Sequence, residues 1–373
     1  MLEKFDSIRP FDDTDLSTEL PKLFNNPEFI ASLVAFKFAS WPKLTWPLLA
    51  FCTRFYINRQ ATRIKTLSGF QNLIGPYMDK MIATTTESVT ISGLDELDVS
   101  RPCLFVSNHR DIALDPAFVN WALHVNGQDT VRIAVGDNLL KKPWVADLIR
   151  LNKCFIVKRQ ATDRREKLKA AKLLSEYIEF TLHSERQHVW IAQREGRAKD
   201  GNDLTNPAII SMLSLNKPKN TTFSEYVNEL RIVPVSISYE FDPCDVSKAR
   251  ELHQLEKDGC YDKPDNEDVQ SIVNGITGKK GRVHLHFSEL LCGEYENAKD
   301  VAAYLDKVIL ENYKPFATGP VAASMLGNTD IDLTDNHYKA AKQYLKERLH
   351  NLNEAESVKL LSMYATAYKK QLS

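Results

Sequence analysis

Short apolar, β-prone runs alternate with helical stretches between residues 88 and 290, and this alternation restricts the possible folds more than any other feature of the chain. The runs lie at 88–93, 103–106, 131–135, 154–157, 188–192, 231–237 and 283–287. Each is short, rich in Val, Ile and Phe, and bounded by polar or turn-forming residues, which is the pattern of buried strands. Between them, 139–151 and a stretch from about Thr162 to His183 carry apolar residues at helical spacing, with charges on the opposite side. Strands and helices in this order build a layered α/β sheet.

The second run leads into Cys103-Leu104-Phe105-Val106-Ser107-Asn108-His109-Arg110-Asp111-Ile112-Ala113-Leu114-Asp115-Pro116. A strand ending here delivers His109 at its carboxyl end, where open α/β sheets build their sites. Asp115-Pro116 reads as an N-cap followed by Pro at the first helical position, opening a helix through Leu123. Two carboxylates, Asp111 and Asp115, stand within six residues of His109.

Three later stretches also punctuate strand ends. Gly136-Asp137-Asn138-Leu139 runs through Pro143 to a strand closing on Lys158-Arg159. Gln193-Arg194-Glu195-Gly196-Arg197-Ala198-Lys199 follows the fifth run, and Ile232-Val233-Pro234-Val235-Ser236 forms the sixth. Together with Asn108-His109 and Asp115-Pro116, these four blocks resemble, in order, the motifs of the glycerolipid acyltransferases. That family includes the glycerol-3-phosphate and lysophosphatidic acid acyltransferases. Two departures stand out: the first block reads His-x5-Asp where the family has His-x4-Asp, and Glu195-Gly196-Arg197 is one residue shorter than Glu-Gly-x-Arg.

The resemblance implies a mixed, mostly parallel sheet flanked by helices. It also implies transfer of a fatty acyl group from acyl-CoA or acyl-carrier protein to a glycerol phosphate or lysophospholipid, 1-acyl-glycerol-3-phosphate foremost, in phospholipid synthesis. His109 would act as general base, oriented by Asp115, with Asp111 as the rival that needs no family spacing. Asn108, Gly136, Arg159, Arg194, Glu195, Gly196, Arg197 and Lys199 would bind substrate, the basic ones meeting phosphate. No metal and no organic cofactor is implied. Glycerol-3-phosphate is the alternative acceptor. The two departures also motivate a reading of another class, a catalytically inactive membrane-surface protein of the same fold.

Composition sets limits around this reading. A formal net charge of -1 over 373 residues argues against a general nucleic-acid binder. Six scattered cysteines without a C-x-x-C pair suit reduced thiols in a cytosol-facing protein. The acidic amino terminus does not read as a secretory signal, and no run of about 18 apolar residues suits a spanning helix. His284-x-His286 lacks a supporting carboxylate or Cys pattern and reads as packing rather than a metal site.

From Phe29 to Met78 there are six basic residues, Lys37, Lys43, Arg54, Arg59, Arg63 and Lys65, and no Asp or Glu. They are mixed with Phe and Trp and interrupted by Pro42 and Pro47, which suits short helices in a membrane interface. The expected organisation is a helical, basic-aromatic element at 1–87 that meets the cytoplasmic face of a membrane. An α/β domain follows at 88–293, with a loop-rich insertion at 242–280, and a helical extension at 294–373.

Overall fold

The computed structural model describes residues 2–38, 40–160, 163–264, 266–327 and 335–372. Helices α1 (Leu16–Phe24), α2 (Pro27–Lys37), α3 (Trp46–Ala61) and α4 (Leu67–Thr85) precede strand β1 (Thr86–Ser92). Strand β2 (Leu104–Ser107) leads to α5 (Leu114–Val125), β3 (Arg132–Gly136) to α6 (Pro143–Leu151), and β4 (Cys154–Val157) to α7 (Arg164–His183). Strand β5 (Val189–Ala192) is followed by α8 (Pro207–Leu213) and α9 (Phe223–Glu229). Next come β6 (Ile232–Tyr239), α10 (Asp245–Asp258), α11 (Glu267–Thr277) and β7 (Gly281–Phe287). The chain closes with α12 (Ala298–Glu311), α13 (Thr318–Met325), α14 (Asn336–Leu349) and α15 (Glu354–Leu372).

The strands form a seven-stranded sheet in the order β1-β7-β6-β2-β5-β3-β4. It is mixed and mostly parallel: β1 with β7, β6 with β2, β2 with β5 and β3 with β4 are parallel, whereas β6 and β7 are antiparallel. With helices on the sheet and at both ends of the chain, this is the α/β class that the alternation implies. Strand β2 is buried along its whole length, as expected of a parallel strand covered on both faces, whose sequence is then a continuous apolar run. Pro234 is tolerated inside β6 because pairing with β7 begins only at Val235↔Phe287; its carbonyl accepts from Ser288 N at 2.9 Å.

The chain divides into two units, Met1–Met78 with Arg132–Tyr177, and Asp79–Val131 with Ile178–Ser373. In the first, α1, α2, α4 and α6 share a core that includes Leu20, Leu23, Phe29, Val34, Phe70 and Leu151. In the second, the terminal helices build a core from Val321, Ala322, Leu345, Leu360 and Met363.

Two local expectations change. Helix α5 begins at Leu114, so Asp115 is not an N-cap but a buried residue of the first turn. Asp111 serves the helix start instead, its Oδ1 accepting from Ala113 N and Leu114 N, each at 2.9 Å. The 242–280 segment is helical through α10 and α11 rather than loop-rich. Several of its polar residues are buried by pairing: Asp245 accepts from Arg348 Nε at 2.7 Å and Tyr364 OH at 2.9 Å. The helical extension expected at 294–373 also contains a short apolar helix, α13, between α12 and α14. The start of α7 near Thr162 lies outside the described residues. His284 and His286 are hydrogen-bonded to hydroxyls of β1, Thr90 at 2.7 Å and Ser92 at 2.8 Å.

Lys280, at the start of β7, is buried, and its Nζ donates to Thr85 Oγ1 and Gly278 O, both at 2.9 Å. Burial lowers its pKa from 10.5 to about 8. The unfolded chain therefore holds this proton up to pH 10.5, the folded chain only to about 8. Between those values the unfolded state binds more protons and stability rises with pH; below about 8 the penalty is fully present. Denaturant unfolding should show that rise, on the order of 3 kcal/mol in size. Lys280→Met should abolish it.

Candidate active site

The turn after β2 is held from several sides. Asn108 is buried, and its side chain continues the sheet where the backbone leaves it. Its Nδ2 donates to Ile237 O at 2.9 Å, and its Oδ1 accepts from Ile237 N at 2.8 Å. The His109 carbonyl accepts from Ala198 N at 2.8 Å, and the Arg110 carbonyl from Lys248 Nζ at 2.7 Å. Lys248 is itself buried, bridging from α10 to Asp242 at 2.5 Å. The attraction of Lys248 and Arg110 outweighs burial and holds the Asp242 carboxyl below the usual range.

Asp115 is fully buried and organises the turn. Its Oδ2 accepts from Arg110 N at 2.7 Å and Asp111 N at 2.9 Å, and lies 2.9 Å from His109 Nδ1. Its Oδ1 accepts from Tyr239 OH at 2.8 Å. A carboxylate at Nδ1 selects the tautomer with its proton there, leaving the Nε2 lone pair for chemistry. Among the described residues, Nε2 has no hydrogen-bond partner. The His109 side chain is 15% exposed, and Trp190 packs edge-on against it at 6.0 Å. Such a His can take a proton from a hydroxyl.

The added residue between His109 and Asp115 is absorbed by this geometry. His109 lies in the turn, Asp115 in the helix, and the amides of 110 and 111 fold over the carboxylate. Asp111 is also buried but faces α5 and α11, and a Cβ on Gly275 would lie 2.4 Å from its Oδ2. Burial, then the nearby Asp115 charge, hold the Asp111 carboxyl above its usual range. The structure thus brings His109 and Asp115 together and leaves Asp111 capping the helix.

Residues of the third block lie in the same unit. Ala198 packs against the turn, and Arg197 Nη2 reaches Ser271 Oγ of α11 at 3.4 Å. Arg197 Nη1 is buried with no hydrogen-bond partner among the described residues. Arg194 Nη1 donates to Asn202 O at 3.4 Å, whereas Lys199 is engaged in an ion pair with Glu251 of α10. Glu195 is exposed. Gly196 adopts φ +73° and meets nothing where a Cβ would stand, so backbone conformation accounts for the glycine rather than crowding. Arg110, buried, lies 3.6 Å from Asp203 and lines with Asn108 a cavity of about 140 Å³.

Gly136 and Arg159 belong to the other unit, where they adjoin one another. A Cβ on Gly136 would come within 2.4 Å of Asn138 Oδ1 and 2.9 Å of Arg159 Cζ, so the glycine makes room for both side chains. Tyr239, Trp190 and Lys248 were not among the residues singled out from the sequence. Tyr239 ends an apolar strand and Lys248 sits in a polar helix, and neither carries a motif; only the strand positions of Trp190 and Tyr239 hint at them.

Residues 88–238 match the family model described as Acyltransferase. The chain is also similar to the crystal structure of the 1-acyl-sn-glycerophosphate (LPA) acyltransferase PlsC from Thermotoga maritima. That likeness has 15% sequence identity and a TM-score of 0.40, over 80% of this chain and 94% of that one. No curated protein matches the chain. Both His109 and Asp115 lie inside the matched stretch, so the chain carries a domain at 88–238 that matches the acyltransferase family model.

Proposed function

We propose that the enzyme moves a fatty acyl group from an acyl-CoA or acyl-carrier-protein thioester to the hydroxyl of a lysophospholipid, 1-acyl-glycerol-3-phosphate foremost. The observation that carries this reading is the 2.9 Å contact between His109 Nδ1 and buried Asp115, with Nε2 left unengaged. His109 Nε2 takes the acceptor hydroxyl proton as that oxygen attacks the thioester carbonyl. The tetrahedral intermediate collapses, the carbon–sulfur bond breaks, and the imidazolium returns the proton to the departing thiolate. Asp115 stabilises the imidazolium while it exists.

Arg197 is the best-supported phosphate ligand, because its buried Nη1 lacks an acceptor that an anionic acceptor's phosphate would supply. Arg194, Glu195 and Gly196 line the same loop. Lys199, held by Glu251, is assigned a supporting part. Asn108 acts by fixing the turn, since both ends of its amide are already used. Gly136 and Arg159 are assigned to substrate binding on the resemblance of their block. Glycerol-3-phosphate remains the alternative acceptor, and the closed His109–Asp115 contact speaks against the inactive reading.

The amino-terminal element (1–87) is proposed as the contact with the cytoplasmic face of a membrane. Leu44, Leu48, Phe51 and Phe55 recur at helical spacing along and just before α3, and all four are exposed, Leu44 at 93%. Lys37, Lys43, Arg54, Arg59, Arg63 and Lys65 are exposed in the same segment. This combination suits a helix lying in an anionic interface, where each nearby cation adds about 1 kcal/mol. No described helix is long and apolar enough to cross a membrane.

In an acyl-transfer assay with a panel of acceptors and both thioester donors, His109→Ala should lower kcat about 10³-fold. Asp115→Asn should lower it roughly 10²-fold through tautomer and orientation, and Asp111→Asn far less. Turnover insensitive to His109→Ala would sink the assignment. Arg197→Gln should raise KM for a phosphorylated acceptor roughly tenfold to a hundredfold, with kcat less affected. In flotation with anionic liposomes, neutralising Lys37, Lys43 and Arg54 should weaken binding, as should added salt. Binding indifferent to both changes would leave a helical subdomain with solvated charges.

A further inference from the structure

Tyr239 closes β6, one residue beyond the stretch matched by the acyltransferase family model. Its hydroxyl donates to Asp115 Oδ1 at 2.8 Å, on the carboxylate oxygen opposite the one that meets His109 at 2.9 Å. The ring is 7% exposed and packs edge-on against Phe118 of α5 at 5.9 Å. The hydroxyl is therefore fixed from two elements, a sheet strand behind and the helix that carries Asp115. Burial, then the adjacent Asp115 charge, push the phenol well above its ordinary range, so it stays a neutral donor throughout the working pH range.

We infer that Tyr239 is a positioning residue that sets how strongly Asp115 holds His109, resting on the general-base reading of His109. Asp115 Oδ1 has only this donor among the described residues, whereas Oδ2 is shared by two backbone amides and the imidazole. A donated hydrogen bond draws charge from a carboxylate and weakens it as acceptor for its other partners. Without the hydroxyl, Asp115 would bear more charge toward His109, and its Oδ1 would lose the one contact that fixes that side of the carboxylate. The imidazolium would then be overstabilised and the ring less well aimed.

Other charged and titratable groups face this pair and must stay unchanged in any comparison. Asp111 shares the turn, and Asp242 and Lys248 approach from the segment after β6. Arg110 and Asp203 pair beside the turn, Tyr313 follows α12, and Lys280 faces Asp111 from the start of β7. None of them donates a hydrogen bond to Asp115 Oδ1. Tyr239→Phe changes that oxygen's partner alone, keeps the ring against Phe118 and leaves the turn amides in place.

The test is the pH–rate profile and a His109 proton NMR signal in the full-length chain. Tyr239→Phe should lower kcat/KM at neutral pH about tenfold, mostly through kcat, and move the acid limb of the profile to higher pH by roughly half a unit to one unit. The Nδ1–H resonance of His109 should move further downfield as Asp115 becomes the stronger acceptor. A ring-fluorinated tyrosine at position 239, a better donor of nearly the same shape, should move both readouts the other way. It serves where the Phe variant folds poorly. An unmoved acid limb and an unmoved resonance in either variant would overturn the inference. His109→Ala, run alongside, separates the two claims: activity surviving in it removes the base assignment, while the His109 resonance compared between the unsubstituted chain and Tyr239→Phe still reports on Tyr239.

Discussion

A carboxylate out of water must be given donors, and the four gathered by Asp115 organise this site. Two are backbone amides of the turn, one is the imidazole and one is the tyrosine hydroxyl. Removing such a carboxylate would orphan several buried groups at once, each costing about 1–3 kcal/mol. The same bonds that recover the cost of burying the charge fix the path of the chain from β2 to α5. Binding geometry and local folding are therefore one arrangement here.

This arrangement is supported from segments that the family match does not cover. Helix α10 reaches the Arg110 carbonyl through Lys248 and engages Lys199 through Glu251. Helix α11 meets Arg197 at Ser271 and lays Gly275 against Asp111. The region 242–280 thus backs the turn through two helices, and Lys248 and Asp242 within it are spent on buried pairing rather than on solvent.

The strands were legible because β-prone runs with polar boundaries have few other interpretations, and β2 to β7 fall within a few residues of the runs at 103–287. The His109 turn stands out in the sequence through its place at a strand end and the family pattern. Its internal pairing is less legible: counting residues leaves Asp111 and Asp115 as competitors, and only the fold of the turn separates a helix cap from a partner for the imidazole. Asp115-Pro116 looked like a cap because Pro is favoured at a helix start; the observed helix begins one residue before Asp115. Helices α10 and α11 escaped because their buried residues are Asp245, Lys248, Ala249, Ser271 and Gly275 rather than a broad apolar stripe. Tyr239 escaped because a strand-end aromatic is ordinarily packing.

Asn108 shows what such a design demands of one position. It meets both the N–H and the C=O of Ile237 with a single side chain, so the main chain can turn away while the sheet's hydrogen bonding runs on for one more rung. A carboxylate of the same shape would set oxygen against oxygen at the carbonyl. A leucine would strand a donor and an acceptor in the dry centre of the sheet. A shorter amide analogue does not exist, and glutamine would overshoot the strand by one methylene. The position is a chemical lock with one fitting key, set beside His109.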